Sequence, residues 1–410
     1  MESWQKFLLI FAYGELSQLE LASFGESKIT DFEVISSSES GAIISCDEKS
    51  IHSIIRTLGG SYKIAQVIGN RLEDSLEQIE YPYGNKFNWT ISAYDSFPDL
   101  YDLAKESLRE TLKRKGLGKG KFLEPNLSEE AGNVEDSRGR KELSIIDLAR
   151  RVFSDVPEKG LDFVLFGGTG THDSIFAITK DVSDVNGFED RDFSRPFQDP
   201  TITVSPRLAR MMVNLSIKGP RQKVLDPFCG LGTILQEAIC LGHSVIGVDR
   251  NSLAVRKATT NLDWCGRKFS TSPSQEIRIF RYDATKLNQR VIPNVDCIAT
   301  EPILLPTFKT NPKPSEIQAL IGDSQEKYRS ALRTIPNLLQ KPWSRIVISS
   351  PIVVTSDGRE HSFQLDGLPL GEFKDYRPKS FETRFKYPLQ VETTKKKIVK
   401  RAITVLELEH

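Results

Sequence analysis

The stretch Val224-Leu225-Asp226-Pro227-Phe228-Cys229-Gly230-Leu231-Gly232-Thr233-Ile234-Leu235-Gln236-Glu237-Ala238 decides how the chain is read. An apolar strand runs into a glycine turn, and a helix opens at once. Glycine permits the tight turn and lets a ligand approach the backbone closely. The helix start offers free N–H groups. Outward from it, Ser244–Val248, Ile277–Tyr282, Asp296–Ala299 and Arg345–Ser349 read as further strands separated by helical segments. That alternation predicts an α/β, Rossmann-like, mainly parallel and doubly wound sheet. Asp249 and Asp283 then stand at the ends of successive strands.

The turn suits one nucleoside cofactor better than another. A dinucleotide site wants Gly-x-Gly-x-x-Gly, and the third position is Leu235. A pyrophosphate is also poorly served by Asp226 beside the turn. S-adenosylmethionine carries an ammonium and a sulfonium, which an acidic strand end accommodates. Asp249 is placed to grip ribose hydroxyls. Cys229 reads as a small packing residue, since no histidine lies near it in sequence.

Upstream, Ser205-Pro206-Arg207-Leu208 marks a helix start, with Ser205 as cap and Pro206 at the first position. Segment 186–200 is polar, holds Pro196 and Pro200, and reads as a linker. The first 70 residues follow a strand–helix–hairpin–helix–strand order, with Gly59-Gly60 ending the second helix, which predicts a split βαβ, ferredoxin-like unit. A second α+β unit follows. It has strands at Phe87–Tyr94, Phe163–Phe166 and Ser174–Thr179, helices around 100–112 and 145–153, and an acidic loop at 124–140.

Asp226–Ala238, with Arg195-Pro196-Phe197, Ser205–Arg210, Val245–Asp249 and Tyr282-Asp283-Ala284, resembles the THUMP-domain tRNA guanosine N2-methyltransferases of the type that modifies position 10. The likeness is close over about 191–301 and looser before it. It implies a ferredoxin-like domain at 1–75, a THUMP-like RNA-binding domain at 76–185, a linker at 186–200 and a methyltransferase domain at 201–410. It implies that Asp226, Phe228, Gly230 and Gly232 shape the methionine end of the pocket. Asp249 would hold the ribose, and Asp283 with Ala284 the adenine. It implies tRNA as partner, and some members need a small zinc-binding activator protein.

Amine methyltransferases place Asp/Asn-Pro-Pro-aromatic after the fourth strand, where oxygens accept hydrogen bonds from the amine and the ring stacks on a flipped base. Here the strand leads to Thr300-Glu301-Pro302-Ile303. Thr300 stands at the Asp/Asn position, Glu301 supplies a carboxylate one position late, and Ile303 replaces the aromatic. Phe308 is a substitute for stacking. Thr300, Glu301 and Pro302 are the catalytic candidates. A DNA amino-methyltransferase, and a catalytically weak tRNA-binding or scaffold protein with a degenerate acceptor site, remain as other readings.

The 410 residues carry 55 Lys+Arg and 55 Asp+Glu, which excludes polyanion binding through overall charge. The zero is a sum of unlike parts. Arg109, Lys113, Arg114, Lys115, Lys119 and Lys121 against Glu110 make a local +5, and five acids at 124–136 make −5. Ten bases and three acids over Lys374–Arg401 make +7. Lys113, Arg114, Lys115, Lys119 and Lys121 are candidate phosphate contacts. Five scattered cysteines without a CxxC pair argue against a disulfide framework or zinc knuckle. No metal is expected, His243 reads as structural, and no signal peptide or membrane span is expected. A cytoplasmic protein follows.

Overall fold

The computed structural model describes residues 4–27, 29–79, 87–96, 98–117, 120–123, 160–167, 174–199, 204–302, 308–339, 341–362, 372–379, 385–391 and 398–408. The expected loop at 124–140 and helix at 145–153 lie outside them, as do Lys119 and Ile303.

The N-terminal half runs β1 (Gln5–Phe11), α1 (Glu15–Glu26), β2 (Phe32–Ser37), β3 (Gly41–Cys46), α2 (Ile51–Thr57), β4 (Ser61–Gly69) and α3 (Leu72–Glu77). It continues with β5 (Asn88–Tyr94), α4 (Pro98–Arg114), β6 (Lys121–Phe122), β7 (Gly160–Phe166) and β8 (Ile175–Val182). The first four strands lie in the order β2-β3-β1-β4 with antiparallel pairings, the arrangement of a split βαβ unit. The sheet does not stop there. β4 pairs antiparallel with β8, and the sheet goes on through β7, β5 and β6. The boundary drawn between residues 75 and 76 therefore divides one eight-stranded sheet.

A buried ion pair helps fix that sheet. Lys63 Nζ on β4 lies 2.6 Å from Asp162 on β7, and Asp162 also accepts from Ser92 on β5 and Thr179 on β8. A slip of one residue would turn these groups to the wrong face and strand a charge.

The segment expected as a linker is folded. α5 (Val185–Glu189) leads into a π-helical turn over Asp190–Ser194. Arg191 and Arg195 are buried, on Glu237 and Thr233. Its polarity comes from side chains that meet buried partners, so composition misread it.

The C-terminal half begins with α6 (Pro206–Ser216), capped by Ser205 with Pro206 at its first position. Then come β9 (Lys223–Asp226), α7 (Thr233–Cys240), β10 (Ser244–Asp249), α8 (Ser252–Lys268), β11 (Ile277–Arg281), β12 (Cys297–Thr300) and α9 (Pro314–Leu332). β13 (Arg345–Val354), β14 (Glu360–Ser362), β15 (Phe373–Asp375), β16 (Leu389–Val391) and β17 (Val399–Leu408) complete it. The sheet order is β11-β10-β9-β12-β13-β17-β15. The first five strands are parallel and β17 is antiparallel to both neighbours. One face is covered by α6, α7 and α8 through Leu208, Met212, Leu235 and Leu262. The other is covered by α9 through Tyr328 and Leu332, over Ile246 and Ile298.

Candidate active site

The chain order reverses between β9 and β12, and the site lies at the carboxyl ends of these strands, where such sheets open a crevice. A cavity of about 400 Å³ there is lined by Asp226, Phe228, Gly230, Asp249, Glu301 and Pro302, among others.

The turn is built by its glycines. Gly230 has φ +51° and Gly232 φ +84°, in the left-handed region. A Cβ on Gly232 would stand 2.6 Å from Leu262 Cδ1. Gly232 N–H donates to the Cys229 carbonyl, and Cys229 N–H to the Val248 carbonyl. Asp249 holds the turn from β10, accepting from Gly230 N–H at 3.1 Å and Asn251 N–H at 2.8 Å. Asp226 is 2% exposed. It accepts from the Thr300 hydroxyl at 2.6 Å and from Phe228 N–H at 3.1 Å. Burial pushes its carboxyl up to about 7, against those two hydrogen bonds, and the charges of Asp249 and Glu301 add to the rise.

The acceptor motif is shifted by one residue from the expected register. Thr300 is buried on β12 and gives its hydroxyl to Asp226, so it does not line the cavity. Glu301 and Pro302, just beyond the strand, do line it. Thr300 still lies in the strand and is held against Asp226 of the neighbouring β9, whereas the residues past the strand end meet the crevice. Glu301 Oε1 accepts from Ser349 at 2.8 Å and from Arg401 Nε at 2.6 Å, and Oε2 accepts from Arg401 Nη2 at 3.2 Å. Phe308 packs near Ile317 and Val353, not on the cavity wall.

Of the seven cofactor candidates, Gly232 shapes the turn without lining the cavity, and Asp283 and Ala284 stand apart from it. Asp283 is exposed and turns its carboxylate back on Thr285 N–H and hydroxyl, which hold it below the usual carboxylate range. Ala284 is buried under Thr334, whose hydroxyl donates to its carbonyl. Neither lines the cavity. Asp199, Asn251 and Lys257 do line it and were missed. Asn251 had a signal, because it caps α8 by accepting from Leu253 N–H. Cys229 lines the wall, but burial raises its thiol well above the ordinary range, which suits packing. His243 is buried on Gln222 N–H and is pushed down to about 4 by burial.

The basic candidates sit at the end of α4 and on β6. Lys113 and Lys121 are exposed, while Arg114 and Lys115 face Glu77. Of the C-terminal basic run, Lys400 pairs with Glu360 and Arg401 with Glu301, so its last two bases are engaged within the fold. Among the described residues no cluster of three or more His, Cys, Asp or Glu could hold a metal ion, and no helix is long and apolar enough to cross a membrane.

Among the described residues the cavity wall carries four carboxylates, Asp199, Asp226, Asp249 and Glu301, against the single cation Lys257. That donor set repels a pyrophosphate and fits a sulfonium cofactor. Residues 193–328 match the model of the RMKL-like methyltransferase domain. The chain is 28% identical to a tRNA (guanine(10)-N2)-dimethyltransferase of Methanothermobacter thermautotrophicus, over 72% of this chain and 76% of that one. It is 32% identical to the enzyme of the same name from Pyrococcus abyssi, over 38% of this chain and 41% of that one. In fold it is similar to TrmN from Thermus thermophilus, with a TM-score of 0.53 at 17% identity, covering 98% of this chain and 99% of the other.

Fold and site together define a Rossmann-like methyltransferase that uses S-adenosylmethionine. Within that class, the chain is similar to the tRNA (guanine(10)-N2)-dimethyltransferases.

Proposed function

We infer that the protein methylates the exocyclic N2 of a guanosine in tRNA. The observation that carries this reading is the placement of Glu301-Pro302 on the wall of the same cavity as the acidic glycine turn. When bound, S-adenosylmethionine supplies a methyl group on a sulfonium. Asp249 would hold its ribose, and Asp226 and the turn its cationic end. Glu301 accepts a hydrogen bond from the acceptor amine and keeps electron density on its nitrogen. Orientation of the two partners in one pocket supplies most of the acceleration, with no covalent enzyme intermediate.

In this reading 1–75 and 76–185 act as the ferredoxin-like and THUMP-like parts that receive tRNA. Lys113, Arg114, Lys115, Lys119 and Lys121 would contact phosphates. A tRNA substrate and five free cysteines fit a cytoplasmic enzyme.

The test is transfer of a labelled methyl to total tRNA and to duplex DNA, followed by nucleoside mass spectrometry. N2-methylated guanosine from tRNA is expected. Label in DNA alone sinks the reading in favour of a DNA amino-methyltransferase. Binding of tRNA and S-adenosylmethionine without transfer favours a scaffold. Turnover by the purified chain alone shows that it needs no zinc-binding activator.

A further inference from the structure

Glu301 is held from behind by two residues far from it in sequence. Three adjacent strands bring them together. Glu301 follows the end of β12, Ser349 lies on β13, and Arg401 on β17. Arg401 and Glu301 are mostly buried, with side chains 13% and 9% exposed. Arg401 grips both carboxylate oxygens, the fork geometry that fixes a carboxylate in plane as well as in place.

A carboxylate offers about four acceptor positions, two on each oxygen. Ser349 and Arg401 Nε take both on Oε1, and Arg401 Nη2 takes one on Oε2. Among the described residues one position on Oε2 is left, on a residue that lines the cavity.

We propose that Arg401 and Ser349 are positioning residues that orient Glu301 so that Oε2 alone meets the exocyclic amine of the acceptor base. They touch neither cofactor nor base. Arg401 supplies the countercharge that lets a carboxylate stay at the edge of an already acidic cavity, and Ser349 sets its rotation. Lysine would keep the charge but lose the two-point grip. The inference rests on the guanosine reading above.

Inosine lacks the exocyclic amine, so it reports the Glu301 contact without turnover. The experiment measures binding of two tRNA transcripts, with guanosine or inosine at position 10, in the presence of S-adenosylhomocysteine. Wild type is expected to prefer guanosine by about tenfold, as for a hydrogen bond to a charged group. Arg401→Met should bind both equally, with S-adenosylhomocysteine affinity within about twofold of wild type. Arg401→Lys and Ser349→Ala should keep part of the preference. In turnover, the loss should fall on kcat more than on KM for tRNA. If Arg401→Met does not fold, Ser349→Ala and Arg401→Lys carry the test.

A full preference for guanosine in all folded variants overturns the proposal. So does a parallel loss of S-adenosylhomocysteine binding, which would make the pair a fold staple. Absence of preference in wild type overturns it as well. Methyl transfer to tRNA by that same wild type shows that the functional reading survives, whereas failure of transfer strikes that reading separately.

Discussion

Asp226 shows how far a residue's chemistry departs from its identity. An aspartate before a glycine turn is plainly visible in the sequence, but its protonation is set by burial between β9 and β12. Its folded value of about 7 lies above that of an unfolded aspartate. The folded chain therefore keeps a proton between about pH 4 and 7 that the unfolded chain has lost, and stability from this group falls as pH rises through that window. Asp226→Asn should flatten that decline, measured as urea midpoints from pH 4 to 7.5; an unchanged slope would refute it. A cationic cofactor favours the ionised form, so its binding below pH 7 should release a proton. Calorimetry of S-adenosylmethionine at pH 6 should then depend on the ionisation enthalpy of the buffer, and identical heats in two buffers would count against Asp226. Asp249 belongs to the same scale. Asp249→Ala removes the contact that ties Gly230 to β10 as well as the proposed ribose acceptor. Cofactor affinity should fall by at least about tenfold, the cost of one charge-assisted hydrogen bond, and unaltered binding would remove Asp249 from the site. Sequence reading named both aspartates, yet counted Thr300 among the catalytic candidates and missed Lys257. Which side of a strand end a side chain faces depends on the neighbouring strands.

At the scale of elements, strand–turn–helix from Lys223 to Cys240 was legible because apolar period, glycines and helix start agree locally. The two turn glycines are not equivalent. Both take left-handed backbone, costing about 1–2 kcal/mol for any other residue. Around Gly230 a Cβ meets nothing closer than 4.0 Å, whereas at Gly232 it runs into Leu262 and Ala258 of α8. Gly232→Ala should therefore destabilise the protein more than Gly230→Ala does, read as urea midpoints. Equal losses would contradict the packing account. β17 was not legible. Val399–Leu408 opens with Val399-Lys400-Arg401, which read as the tail of a basic run. Its pairing with β13 along nine residues, Arg345–Val353, sends Arg401 toward Glu301 and the apolar remainder into both faces of the core.

At the scale of the whole molecule, the two halves are joined by buried polar contacts. Glu20 on α1 accepts from Gly59 and Gly60 N–H and from Asn214 on α6. A Cβ on Gly59 would stand 2.4 Å from the Arg207 carbonyl, so these glycines end a helix and also admit α6. Arg345 on β13 reaches Ser23 and Glu26 on α1 and Glu407 on β17, with its guanidinium 3.6 Å from the Tyr376 ring centroid. Arg345→Ala leaves Glu26 and Glu407 without that countercharge, a loss of about 3–5 kcal/mol. Scanning calorimetry should show one transition in wild type and two in the variant; a single unshifted transition would refute the coupling. Charge acts at this scale too. Reversing Lys113, Arg114 and Lys115 to Glu should weaken tRNA binding and lower its salt slope by about 2–3; an unchanged slope would acquit the patch. The sequence by itself determined the methyltransferase class, because the turn, its aspartates and the alternating strands are local patterns read within a few dozen residues. Only the tertiary structure decided that the N-terminal units share one sheet, that the supposed linker buries Arg191 and Arg195 against the C-terminal half, and that Arg401 stands behind Glu301. Those facts rest on strand pairings and buried ion pairs between distant residues, and pairing across a fold leaves no local period in the chain.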